Sequence, residues 1–173
     1  LSGVLPDNSV TLRLAADSTV NTDASLFFGT LDLADNALTL DDGMAGLSVA
    51  QAVTLDAAGE QVLTGAADLA LNGGISVTAG ALSSTGGLVS ASSLSAGGTG
   101  VLNFQGGTLS LPDGATLASG SSFTTSGATL NLGGSLAVAG TWTSDNTSVS
   151  LTDNASLNHS NTNPLSLASL QTN

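Results

Sequence analysis

Few side chains in this chain could carry out acid–base, nucleophilic or phosphate chemistry. The 173 residues include one Arg, no Lys, one His and no Cys, together with 13 acidic residues. The arginine, Arg13, lies in the alternating segment Val-Thr-Leu-Arg-Leu, where alternation points its side chain outward. An outward charge on an edge strand hinders the addition of further strands, and we expect Arg13 to have this role.

The remaining catalytic candidates also lack a supporting pattern. His159 lies in Asn-His-Ser-Asn-Thr-Asn, without the context of a nucleophile–base–carboxylate triad. Two carboxylates could act as a glycosidase pair, but most of the acidic residues fall at expected turns, where solvation explains them. We therefore interpret the chain as not an enzyme and assign no catalytic residue.

Calcium binding is a more specific hypothesis for a functional site than catalysis. Asp32, Asp35, Asp41 and Asp42 form the densest acidic cluster of the sequence, and carboxylate oxygens are the ligands that Ca²⁺ prefers. The repeats lack the Gly-Gly-x-Gly-x-Asp pattern of calcium-binding β-rolls. Turn formation is therefore the favoured role for these four residues, and no other cofactor is expected.

Composition restricts the partners and the compartment. A formal net charge of −12 repels nucleic acid and anionic lipid, so neither is expected as a partner. No apolar run has the length of a transmembrane helix, which is about 18 residues or more. Because Ser and Thr make up 46 of the 173 residues and Lys is absent, we expect an extracellular protein. The chain begins with Leu1, which suggests a processed chain or a segment of a longer secreted one.

Apolar residues alternate with polar ones along the whole chain and recur with a loose period near 20 residues. One group of positions is interpreted as the first strand of each repeat: Val10/Leu12/Leu14, Leu31/Leu33, Val53/Leu55, Leu69/Leu71, Leu88, Leu109/Leu111, Leu130/Leu132, Val149/Leu151 and Leu165/Leu167. A second group would form the middle strands: Val20, Leu38/Leu40, Ile75/Val77, Leu94, Leu117, Leu136/Val138 and Leu157. A third group would complete each repeat: Leu26/Phe28, Leu47/Val49, Val62, Leu82, Leu102/Phe104, Phe123 and Trp142.

Three short strands per repeat predict an all-β, parallel β-solenoid of about eight coils, forming a single domain over residues 1–173. In this assignment the third repeat lacks a clear middle strand. Gly and Asx residues follow the first strands and would form one corner, because they tolerate the backbone angles of tight turns. These residues are Asp17, Asp35/Asn36, Asp56, Asn72/Gly73/Gly74, Asp113/Gly114, Gly133/Gly134 and Asp153/Asn154. The alternative fold is an antiparallel β-sandwich, as in pilin-like subunits.

Two segments carry a resemblance to known proteins. Gly-Gly-Thr-Leu-Ser-Leu-Pro-Asp-Gly-Ala-Thr-Leu (106–117) and Gly-Ala-Thr-Leu-Asn-Leu-Gly-Gly-Ser-Leu (127–136) are similar to coils of bacterial surface β-helices. The chain thus resembles autotransporter passenger domains and filamentous-haemagglutinin-like adhesins. That resemblance implies secretion to the outside or to the surface of a bacterial cell, a right-handed parallel β-helix and an adhesive or scaffolding role, and it carries no catalytic residue.

Surface features suggest partners only in general terms. Thr141-Trp142-Thr143 is the one Thr-x-Thr of the sequence, which argues against an ice-binding array, and Trp142 is expected in the core. Asn-x-Ser/Thr sequons occur at Asn146, Asn154 and Asn158. A solenoid has open strand edges at its ends, so we expect self-association into a filament by head-to-tail stacking, or neighbouring coils of a longer chain. Surface glycans are the alternative partner, for a carbohydrate- or calcium-binding extracellular module. A polysaccharide-active β-helix enzyme is the third alternative.

Overall fold

The computed structural model describes residues 6–152, 154–162 and 164–172. These residues form 22 β-strands, and none of them lies in a helix. All strand pairs are parallel, and the strands belong to three sheets. Within the same ranges, no helix has the length and apolar character needed to cross a membrane. The predicted parallel β-solenoid is confirmed, and the antiparallel sandwich alternative is wrong.

The three sheets are numbered by the order in which a complete turn visits them. Sheet 1 contains β1 (Pro6–Arg13), β3 (Ser25–Asp32), β5 (Gly46–Val49), β8 (Asp68–Leu71), β11 (Leu88–Ala91), β14 (Thr108–Leu111), β17 (Thr129–Leu132), β20 (Thr147–Leu151) and β22 (Leu167–Thr172). Sheet 2 contains β6 (Val53–Leu55), β9 (Ile75–Val77), β12 (Leu94–Ala96), β15 (Ala115–Leu117), β18 (Leu136–Val138) and β21 (Leu157–His159). Sheet 3 contains β2 (Ser18–Val20), β4 (Ala37–Leu40), β7 (Gln61–Thr64), β10 (Ala81–Ser84), β13 (Val101–Gln105), β16 (Ser122–Ser126) and β19 (Thr141–Asp145).

The turns are not all alike. Five successive turns, from β5 to β19, pass through sheets 1, 2 and 3 in that order. The first two turns pass directly from sheet 1 to sheet 3, and their sheet 1 strands, β1 and β3, are eight residues long. The last turn runs from β20 through β21 to β22 without a described strand in sheet 3. Three strands per turn is therefore correct only for the central part of the chain.

Inward side chains at paired positions form continuous apolar columns. One column of sheet 1 consists of Leu26, Leu47, Leu69, Val89, Leu109, Leu130, Val149 and Leu170. All of its members between Leu26 and Val149 are buried. Each side chain in such a column packs on a similar side chain one turn away, at the strand spacing of about 4.8 Å. Aliphatic residues of similar size therefore repeat along this inner position of sheet 1.

Before residue 61 the sequence assigns most apolar groups to the wrong strand of the turn, although Val10, Leu12 and Leu31 do lie in sheet 1 as first strands. Leu47 and Val49 lie in sheet 1 and pair with β8, whereas they were expected in third strands. Val53 and Leu55 lie in sheet 2 and pair with β9, so the third repeat does have a middle strand. Leu26 and Phe28 lie in sheet 1, while Val20 and Leu38/Leu40 lie in sheet 3.

Two further strand positions differ from expectation. Leu88 is 40% exposed and points outward, and its neighbour Val89 fills the inner column between Leu69 and Leu109. In the last strand the pairing shifts, so that Leu170 rather than Leu165 extends the column of Val149. Either residue of an adjacent apolar pair satisfies alternation, and only the paired neighbours decide which one faces inward.

Close backbone stacking explains the glycines of the corner between sheets 1 and 2. Gly114 has a φ of 87°, in the left-handed region, and a Cβ at this position would overlap the carbonyl oxygen of Ser135 one turn later. The corner also contains Asn72, Asp113 and Gly133, as predicted. Asp56 instead follows β6, at the corner between sheets 2 and 3, because Val53 and Leu55 form a strand of sheet 2 and not a first strand. Asp153 lies outside the described residues.

Candidate functional site

The four calcium candidates do not converge on one point. Asp32 lies at the end of β3, where its Oδ2 is 3.2 Å from the Nε of Arg13 and its Oδ1 accepts a hydrogen bond from the backbone of Ala34 at 3.1 Å. Asp35 lies in the tight turn before β4, with a φ of 66°. Asp32 therefore pairs with Arg13 on the edge strand β1, and Asp35 forms part of the corner between β3 and β4. The Arg13 side chain is exposed on an edge strand, as the sequence predicted.

Asp41 and Asp42 lie together on the other side of the same turn, after β4. The Oδ2 of Asp41 accepts a hydrogen bond from the side-chain amide of Asn21 at 2.6 Å. The Oδ1 of Asp42 accepts one from the backbone N–H of Ala66 at 2.9 Å. The two residues contribute to an open groove of about 410 Å³, whose lining also includes Thr19, Thr39, Thr64 and Thr85.

Of the four candidates, only Asp41 and Asp42 line this groove. Across the ranges that the structure describes, no three His, Cys, Asp or Glu side chains are grouped so that they could hold a metal ion. Calcium binding stays a prediction. It would require Asp41 and Asp42 to be completed by hydroxyl, carbonyl or water oxygens.

Several aspartates share a structural role that the sequence did not reveal. Asp17, Asp42 and Asp68 each accept a hydrogen bond from a backbone N–H one turn later, at 2.9, 2.9 and 2.8 Å. The donors are Ala37, Ala66 and Leu88, which lie 20 or 24 residues further along the chain. These carboxylates join consecutive turns at corners where strand pairing is interrupted.

Glu60 has a similar role inside one corner. It is the single glutamate of the chain and is buried, and its Oε2 accepts hydrogen bonds from the backbone of Asp56 at 2.7 Å and Ala57 at 3.2 Å. The carboxylate thus satisfies two N–H groups of the corner between sheets 2 and 3. The sequence alone does not predict this role, because an isolated glutamate is not part of a recognisable motif.

His159 lies at an inward position and closes the column that contains Leu117 and Val138. Its ring packs edge-on against Trp142, with centroids 6.1 Å apart. Among the described residues, its Nε2 has no hydrogen-bond partner. These contacts make His159 part of the packing at the end of the core.

Trp142 is fully buried, which confirms its expected place in the core. Its ring stacks on Phe123 at a centroid distance of 5.2 Å, and Phe123 meets Phe104 edge-on at 6.2 Å. The indole Nε1 donates a hydrogen bond to Thr125 at 3.0 Å, and the hydroxyl of Thr147 donates to the same oxygen at 2.8 Å. The buried hydroxyls therefore complete the packing around the indole ring.

Thr64 differs from the other buried hydroxyl residues in its hydrogen bonding, and replacing it should stabilise the protein. Its Oγ1 is buried without a hydrogen-bond partner in the described residues, between Leu40 and Ser84 in an inner column of sheet 3. Because Val has nearly the same shape and no unsatisfied polar atom, we expect Thr64→Val to raise the free energy of unfolding by about 1 kcal/mol. Urea unfolding followed by circular dichroism measures this change.

Thr125→Val is the matched control, because the Thr125 hydroxyl accepts two buried hydrogen bonds. Its loss should lower the free energy of unfolding by about 1–3 kcal/mol. A loss of stability in Thr64→Val comparable with that of Thr125→Val would contradict the assignment of Thr64 as unsatisfied.

The remaining surface candidates lie apart from one another. Thr141 and Thr143 are exposed on β19, and the paired positions on β16 are Ser122 and Thr124, so the Thr-x-Thr pattern does not repeat there. Of the sequon asparagines, Asn146 lies in a corner with a φ of 48°, Asn154 lies in a turn, and Asn158 points outward from β21. All three are exposed.

Comparison with protein families, with curated proteins and with solved structures gives no match for this chain.

Proposed function

We propose that the chain is a secreted, non-enzymatic β-solenoid that acts as a structural or adhesive element of a bacterial surface. One observation carries this proposal: parallel strand pairing continues along the whole described chain, and buried, mainly aliphatic side chains fill its interior from Leu14 to Val149. Backbone hydrogen bonds along the axis and a narrow aliphatic core favour a stiff rod. Nine strands in sheet 1 correspond to a rod about 40 Å long.

Uncharged polar side chains on the outer faces support an adhesive role. On sheet 1, the outward positions of the four C-terminal strands form two rows: Thr108, Thr129, Ser148 and Ser169, beside Ser110, Asn131, Ser150 and Gln171. Hydroxyl and amide groups in register can donate and accept hydrogen bonds along a flat surface. Such a surface suits contact with neutral polar polymers, including surface glycans.

Charge is distributed unevenly along the rod. All but three of the 13 acidic residues lie within the first 68 positions, the others being Asp113, Asp145 and Asp153. The N-terminal part is therefore strongly anionic, and the C-terminal part is nearly uncharged. Two N-terminal ends repel each other, whereas an N-terminal end can approach a C-terminal end without strong repulsion.

Strand direction favours the same arrangement. Among the described strands, β1 and β22 are outermost in sheet 1, and β2 and β19 are outermost in sheet 3. Because every pair is parallel, pairing β22 with β1 of a second copy continues sheet 1 in one direction. Sheet 3 would be interrupted at the junction, since the last turn has no described strand beyond β19 in that sheet. Sheet 2 would not continue across the junction, since its first strand, β6, belongs to the third turn.

Apolar residues that remain partly accessible are concentrated in the outer turns. They are Val10, Leu12 and Val20 at one end, and Leu151, Ala155, Leu157, Leu165 and Leu167 at the other. Leu170, at the end of an inner column, is 55% exposed. Covering these side chains with a second copy would bury apolar surface and extend the columns, which favours head-to-tail stacking into a filament.

Electron microscopy of the purified chain tests this assembly. We expect filaments with an axial repeat close to one subunit length, about 40 Å. Leu170→Lys should give dispersed rods, because it places a charge on the end face where the next copy would pack. Leu88→Lys is the matched control, since Leu88 is 40% exposed on the side of the rod and lies away from the junction.

Two outcomes would contradict stacking through the ends. If the parent chain stays monomeric at high concentration, the proposed filament is wrong, although the proposal of a rod-shaped structural element still stands. Equal loss of filaments in Leu88→Lys and Leu170→Lys would point to lateral association instead.

A further inference from the structure

Asn72 and Gly73 form the corner between β8 and β9, and their surroundings suit a chemical modification. Both residues are exposed. The backbone N–H of Asn72 donates to Val49 at 2.9 Å, and that of Gly74 donates to Leu71 at 2.9 Å. Among the described residues, the N–H of Gly73 between them has no acceptor. A peptide nitrogen without an acceptor can lose its proton to solvent and act as a nucleophile.

The fold requires a glycine directly after Asn72. A Cβ on Gly73 would overlap the backbone nitrogen of Ala52 and the carbonyl carbon of Gln51, in the corner one turn earlier. Because the paired strands on either side hold the two corners in place, a larger residue at position 73 would displace one turn from the next. The glycine also leaves its own nitrogen without steric protection from a side chain. Tight stacking of turns thus preserves an Asn-Gly pair at an exposed site.

We infer that Asn72 is a site of spontaneous deamidation, with water as the co-reactant. The deprotonated nitrogen of Gly73 attacks Cγ of Asn72, an N–Cγ bond forms, and the Cγ–Nδ2 bond breaks as ammonia leaves with a proton from water. Water then opens the resulting succinimide at either carbonyl. The products are aspartate, or isoaspartate with an additional methylene group in the backbone. The net reaction consumes one water and releases one ammonia.

The corner accommodates these two products differently. Aspartate keeps the backbone length of asparagine, and position 72 is exposed, so an aspartate there fits this geometry. The side chain of Asn72 donates to the hydroxyl of Ser48 at 3.1 Å, and that hydroxyl can donate in return to a carboxylate. Isoaspartate lengthens the backbone where Gly73 lies against Gln51 and Ala52, so it should separate the two corners.

Peptide mapping by mass spectrometry after incubation of the folded chain at mildly alkaline pH tests this inference. We expect the peptide that contains Asn72 to gain the mass of amide hydrolysis faster than peptides that contain Asn103 or Asn131, which lie within strands and precede large side chains. Asn72→Ser should abolish that product. Asn72→Asp should have the same melting temperature as the parent chain, whereas the isolated isoaspartate fraction should melt at a lower temperature.

The same chain unfolded in urea provides the reference for the chemistry. If Asn72 deamidates in urea but remains an amide in the folded chain, the corner protects it and the inference is wrong. If the isoaspartate fraction melts with the parent, the predicted separation of the corners is wrong.

Discussion

Replacing Leu130 by aspartate should unfold the protein or lower its melting temperature more than any other change considered. Leu130 is fully buried in β17, and its paired neighbours Leu109 and Val149 are also buried. Removing a buried leucine typically costs about 2–5 kcal/mol, and an unpaired buried carboxylate adds several more. That total is comparable with the whole free energy of unfolding of a typical domain, about 5–15 kcal/mol.

Asn131→Asp is the matched control on the same strand. Asn131 is exposed, and the residues beside it in the outer row are Ser110 and Ser150, so an added charge stays in water. We expect it to change the free energy of unfolding by no more than about 0.5 kcal/mol. Thermal unfolding followed by circular dichroism compares the two. Similar melting of Leu130→Asp and Asn131→Asp would contradict the inward assignment of Leu130.

The second large effect should come from Gly114→Ala. Gly114 combines a φ of 87° with close contact to the next corner, where a Cβ would overlap the backbone of Ser135. The left-handed conformation alone costs an alanine about 1–2 kcal/mol. The overlap adds to this cost, because relieving it requires the corners of two consecutive turns to separate.

Gly127→Ala distinguishes the two contributions. Gly127 also has a positive φ, 63°, but a Cβ there would meet no atom within 4 Å. Its loss of stability in equilibrium urea unfolding should therefore report the backbone conformation alone. Gly114→Ala should lose clearly more, and equal losses would show that the turns do not pack as closely at this corner as the structure indicates.

Most of the architecture was predictable from residue 61 onward. There, short alternating strands are separated by corners that Gly, Asn and Asp mark, as at Asn72, Asp113 and Gly133. Earlier in the chain these cues fail for two physical reasons. The eight-residue strand β3 carries two apolar groups that look like separate strands, and the corner between β5 and β6 is Ala50-Gln51-Ala52, with no glycine or Asx residue.

The roles of the polar residues were less predictable, because they depend on contacts between turns. The hydrogen bond from Leu88 to Asp68 joins residues 20 positions apart, and no local sequence motif predicts it. Glu60 acts within its own corner, but its burial follows from the packing of neighbouring turns. The calcium prediction relied on proximity in sequence, whereas the bend of the second turn places Asp32 and Asp41 in different corners.

Engineered disulfides provide the most direct test of parallel stacking, because the native chain contains no cysteine. Ser110 and Asn131 are paired outward residues on adjacent strands, whereas Ser150 lies one further strand away from Asn131. Adjacent strands are about 4.8 Å apart, within the Cα separation of about 4.4–6.8 Å that a disulfide spans. The double variant Ser110→Cys/Asn131→Cys should therefore form an intramolecular disulfide on mild oxidation, and Ser110→Cys/Ser150→Cys should not. Free thiols in the first variant, or equal crosslinking in both, would contradict the stacked solenoid.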